Sequence, residues 1–70
     1  MQLRNRGLVR TLGVERTLVV GSRSISAVAT EFGVTTRTIR RDLAALEEAG
    51  FRLVVDDDRR WHVLRRREVA

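Results

Sequence analysis

Seventy residues, 43% of them hydrophobic, make one compact domain over 1–70 with a small core and leave no room for a second. With no cysteine and a single histidine, His62, no disulfide framework or thiolate metal site staples the fold, and neither metal nor cofactor is expected. No apolar run nears the roughly 20 residues of a membrane span and no signal-peptide pattern opens the chain, so no membrane partner and a cytoplasmic, nucleoid-associated location are expected; 14 basic against 9 acidic residues favour a polyanionic partner instead.

All the basic residues are arginine, whose planar fork suits phosphate oxygens and the guanine edge. Codon bias in a GC-rich genome explains the absence of lysine equally well, so the positions of the arginines carry more weight than their number.

In chain order, a first helix is expected at about 4–20. Leu8, Leu12 and Val19, with Val9 at the edge, form one apolar line, and Leu3, Val14 and Leu18 form another on nearly the opposite side. One line faces the core, and the other is exposed surface or a dimer contact; periodicity does not choose between them. Gly13 inside the helix costs about 1 kcal/mol relative to alanine. After Gly21-Ser22, Ser24 or Ser26 can cap a second helix; Ser24 is favoured and sets it at about 25–32, with Ile25, Val28, Ala29 and Phe32 on one side and Gly33 ending it. Thr35 caps a third helix at about 36–49, whose stripe is Ile39, Leu43 and Leu46 and whose end is Gly50. The period then drops to two. Phe51, Leu53 and Val55, then Trp61 and Val63, describe a hairpin at 51–64 with its tip near Asp57-Asp58, followed by a basic tail at 65–70.

The order is mainly α with a small β-hairpin, and the turn at Gly33 is too short for an antiparallel bundle. This is a winged helix-turn-helix, three helices plus a wing, with Ala29 small at the helix crossing and the third helix protruding. Placing Ile39 at the core centre turns Arg37 and Arg41 outward, with Thr38 and Arg40 on the flanks. Arginines in the first turns and Glu47 and Glu48 near the end oppose the helix macrodipole, a local cost that points to function. The first residues of such a helix reach base edges in the major groove, where arginine pairs with guanine and threonine touches the thymine methyl.

The run from Gly33 to Phe51, GVTTRTIRRDLAALEEAGF, resembles the DNA-binding domain of DeoR-type and WYL-domain bacterial transcription regulators. Thr38-Ile39-Arg40-Arg41-Asp42-Leu43 match its central motif, Thr35 stands for its serine, and Arg60-Trp61 resembles the arginine-aromatic pair of its wing. The similarity covers about 24–64. It implies that Thr36, Arg37, Thr38 and Arg40 face bases, that Thr35 and Arg41 hold phosphates, and that Arg59 and Arg60 reach the adjacent backbone or minor groove. Three departures matter. Asp56, Asp57 and Asp58 replace the glycine common at the wing tip and would repel phosphate, and Arg23 replaces an apolar residue, which argues against the family's small third strand. The family's members continue into an effector-binding sensor domain that these residues do not include, so an effector domain or partner protein would lie outside this chain.

The remaining chemistry-bearing residues read as structural. Trp61 is expected as a core anchor, His62 as an exposed strand residue, Asp42 as an ion-pair partner orienting Arg40 and Arg41, and the three aspartates as a solvated turn. No nucleophile-base pair or phosphate loop is present, so an enzyme is not expected. The expected function is sequence-specific binding of double-stranded DNA as a transcriptional regulator, most simply a repressor. A homodimer is expected on a palindromic site, joined through the Leu3, Val14, Leu18 line or the tail. The alternatives are an excisionase-like DNA-bending factor of a mobile element and a winged-helix protein-interaction module.

Overall fold

The computed structural model describes residues 6–64, with the elements α1 (Arg6–Val20), β1 (Arg23–Ser24), α2 (Ile25–Phe32), α3 (Thr36–Glu48), β2 (Arg52–Val55) and β3 (Arg60–Leu64). Leu3, the first residues of the expected first helix and the basic tail at 65–70 lie outside the described residues.

Short polar residues and glycines set the helix ends. Ser24 accepts a hydrogen bond from the Ala27 N–H at 3.0 Å, and Thr35 accepts one from the Thr38 N–H at 3.2 Å, satisfying donors that a helix start leaves open. Gly33 turns the chain left-handed at φ 66°, so that Val34 N–H reaches back to the Ala29 carbonyl at 3.0 Å. Gly50, at φ 102°, does the same for α3, with Phe51 N–H donating to the Leu46 carbonyl at 3.0 Å. Both are glycine-closed helix ends, and in both the next apolar residue, Val34 or Phe51, packs on the core. The third helix runs to Glu48, with Ala49 as its cap.

One core takes side chains from every helix and from β3: Val14 and Leu18 of α1, Val28 and Ala29 of α2, Ile39, Leu43 and Leu46 of α3, and Val63. Ile25, Phe32, Val34, Leu53 and Trp61 close its rim, which bears out Trp61 as a core anchor. On α1 the Val14–Leu18 line faces inward at 0% exposure, while Leu8 and Leu12 are about half exposed. Val14 and Leu18 are therefore unavailable to a second copy, correcting the expected dimer line. The stripe was hard to read because its N-terminal half is polar and small: Gly7, Arg10 and Thr11 are the half-buried residues there. Gly13 has its own reason, since a Cβ at this position would lie 2.9 Å from the Phe32 ring. The helix accepts the propensity cost where α2 comes close.

The sheet has three antiparallel strands in the order β1-β3-β2. The small third strand that Arg23 argued against is present, with Arg23 opposite Trp61 and Ser24 opposite Arg60. Its ladder uses backbone groups only, and the Arg23 side chain is accommodated by an ion pair with Glu31 of α2. The β2–β3 hairpin pairs Leu53 with Val63 and Val55 with Trp61. Three helices and this sheet form a winged helix-turn-helix, with the hairpin as the wing.

Candidate nucleic-acid interface

Asp42 fixes which way α3 presents its outer surface. Among the described residues it is the one buried charged side chain, 4% exposed, and it meets α1 across the α1–α3 seam. Arg10 meets it with a fork, Nε to Oδ2 at 2.6 Å and Nη2 to Oδ1 at 2.9 Å. The Thr11 hydroxyl, 2.9 Å from Oδ1, shares its proton with the Gly7 carbonyl at 2.8 Å. The hydrogen bond to Asp42, aided by the carboxylate's charge and opposed by partial burial, holds the Arg10 guanidinium above its ordinary pKa. The expectation that Asp42 orients Arg40 and Arg41 is thereby corrected: those side chains project from exposed positions on other sides of the helix, and the carboxylate serves α1.

With Ile39, Asp42, Leu43 and Leu46 buried, successive 100° steps put Arg37, Arg41 and Glu48 on the outermost line of α3. Thr36 is exposed at the helix start and Thr38 is half-buried on the flank away from the wing. Thr35 spends its hydroxyl on the cap, accepting from Thr38 N–H and lying 3.2 Å from Thr38 Oγ1 as donor, so any phosphate contact competes with that bond.

Arg40 occupies the other flank, toward the wing. It lines a cleft of about 450 Å³ together with Ser24, Ser26, Arg59 and Trp61. With Trp61, Glu47 and Leu53 it also borders a smaller hollow of about 250 Å³. Arg59 and Arg60, adjacent in sequence, are separated by the pleat. Trp61 and Val63 face the core side of β3, so alternation puts Arg60 on the outer face with His62, whereas Arg59 belongs to the cleft. His62, expected to be exposed, is half-buried there.

The wing turn explains how Arg59 gets there. Arg59 N–H donates to the Asp56 carbonyl and Asp56 N–H to the Arg60 carbonyl, each at 3.0 Å, the pattern of a tight turn closed by one left-handed residue. Glycine ordinarily takes that place; here Arg59 does, at φ 62°, a conformation costing an L-residue about 1–2 kcal/mol. Asp56 Oδ1 offsets this by accepting from Asp58 N–H and Arg60 N–H, both at 2.9 Å. One of the three wing aspartates is thus part of the turn, while the Asp57 and Asp58 side chains remain at the exposed tip.

Among the described residues, two arginines have carboxylate partners, Arg10 with Asp42 and Arg23 with Glu31. Among the described residues, no carboxylate pairs with Arg37, Arg40, Arg41, Arg59 or Arg60. Ser26 was missed as a cleft residue in the sequence because only the fold brings the start of α2 beside the wing. Among the described residues no group of three His, Asp or Glu side chains could hold a metal ion, and no helix is long and apolar enough to cross a membrane.

No curated protein and no solved structure matches this chain significantly. The family model of the HTH domain, a helix-turn-helix DNA-binding domain, does match, over residues 21–59, from the residue after α1 through α2, α3 and β2 to the wing turn. With more than half of its 70 residues covered, the chain belongs to the helix-turn-helix domain family.

Proposed function

We propose that this DNA-binding domain is a sequence-specific transcriptional regulator of the DeoR or WYL kind, acting as a repressor by occupying promoter DNA. The observation that carries the reading is the line of uncompensated arginines on the first turns of α3, whereas Arg10 and Arg23 are neutralised by Asp42 and by Glu31 of α2. In this reading α3 lies in the major groove, where Thr36, Arg37 and Thr38 meet base edges and Arg37 supplies the fork that pairs with guanine. Arg41 and Thr35 hold phosphates of the same groove, and Arg59 and Arg60 meet the flanking backbone. A second copy doubles a small interface on a palindromic site, and the exposed Leu8, Leu12 and Val19 line of α1 is the surface offered for it.

Fluorescence anisotropy on labelled duplexes, read across salt concentrations, tests the reading. If about five phosphates are neutralised, log K falls against log salt with a slope near −4 to −5. Selection of bound sequences from random duplexes is expected to return a two-fold repeated half-site. No binding at low salt rejects the reading; binding without sequence preference rejects its regulatory part.

A further inference from the structure

Arg40 is grouped by its sequence neighbours with the base-reading residues, but its surroundings are not those of a base reader. It stands a quarter-turn from the outermost line of α3, on the flank turned to the wing, and the cleft there has a second arginine, Arg59, and the Trp61 ring. Among the described residues no acidic residue lines this cleft, in contrast to the smaller hollow, where Glu47 does. Among the described residues neither guanidinium has a carboxylate partner. Two like charges at one apolar-floored cleft repel each other unless an anion sits between them. Arg59 lines this cleft while held left-handed, at a place where glycine would be unstrained.

The proposed docking of α3 says which anion this is. With α3 in the major groove and the hairpin over the next groove, the strand separating the two grooves runs over the gap between helix and wing, and it offers phosphodiester oxygens rather than base edges. We propose that Arg40 and Arg59 clamp one backbone phosphate of that strand, with the Ser26 hydroxyl beside it, so that Arg40 supplies affinity and register and no base preference. The inference rests on the DNA reading above. It takes Arg40 out of the base-reading set.

The test uses the whole chain, the duplex it selects, and the same duplex carrying an uncharged methylphosphonate at single positions. Arg40→Ala and Arg59→Gly are each expected to weaken binding by roughly tenfold, equally on matched and mismatched duplexes, and to flatten the salt slope by about one. Wild-type protein should lose a similar factor at one methylphosphonate position, and Arg40→Ala should be indifferent to that position. Arg59→Gly separates binding from folding, because removing the left-handed arginine should leave the protein at least as heat-stable while binding falls. If Arg40→Ala selects a different base at any position, or still senses every methylphosphonate as wild type does, the clamp is wrong and the DNA reading survives. Failure of the unsubstituted protein to bind any duplex overturns both.

Discussion

The two sides of α3 use the same side chain for opposite purposes. In the seam with α1, Arg10 is locked by a two-point hydrogen bond onto a buried aspartate, and its charge is cancelled. In the cleft with the wing, Arg40 and Arg59 line one space with no acid among the described residues that border it. A compensated arginine spends its donors on holding the fold, whereas an uncompensated pair keeps its donors for a polyanion. The count of arginines therefore says little about this protein, and the distribution of their carboxylate partners says much more.

Breaking the seam should have the largest effect. Arg10→Ala leaves the Asp42 carboxylate buried with only the Thr11 hydroxyl, and is expected to cost about 3–5 kcal/mol in urea denaturation while leaving the selected DNA sequence unchanged in whatever protein remains folded. Replacing both partners, Arg10→Met with Asp42→Leu, should recover most of that loss, since no charge is then stranded. A double variant as unstable as Arg10→Ala would mean that the seam acts through something other than charge compensation.

On the exposed face the expected signature is reversed. Arg37→Ala should cost roughly 1–3 kcal/mol of binding to the selected duplex and relax preference at one base, with an unchanged melting temperature. A loss equal on all sequences would move Arg37 among the phosphate contacts. Asp56→Ala removes the acceptor of two wing N–H groups and should lower stability by about 1 kcal/mol, measured by thermal melting, and weaken DNA binding through Arg59. The smallest effect is expected for Arg41→Ala, a uniform weakening with the salt slope flattened by about one and no change in stability.

Much of the fold was legible because it is written in local chemistry. Ser24, Gly33, Thr35 and Gly50 mark helix ends through bonds made within a few residues, and the Ile39, Leu43, Leu46 stripe follows from 3.6-residue periodicity. The outward set of Arg37 and Arg41 follows from the same geometry once the core side of α3 is known. Less was legible where a residue answers to a distant one. The inward face of α1 reads as broken because Gly7, Arg10 and Thr11 carry it toward Asp42, 31 and 32 residues away from Thr11 and Arg10. Gly13 reads as a flaw until the Phe32 ring is placed against it.

By itself, then, the sequence determined the order of elements, the helix limits, the protruding arginine-bearing helix and the position of the wing turn, because each depends on neighbours within about one or two turns of chain. Tertiary structure alone decided which side of α1 is buried, that Asp42 belongs to Arg10, that Arg23 still pairs in a third strand, and that Arg59 joins Arg40 while Arg60 turns away. Those outcomes depend on charge pairing, strand pleat and close approach between segments far apart in the chain, and hydropathy patterns contain no record of such distances.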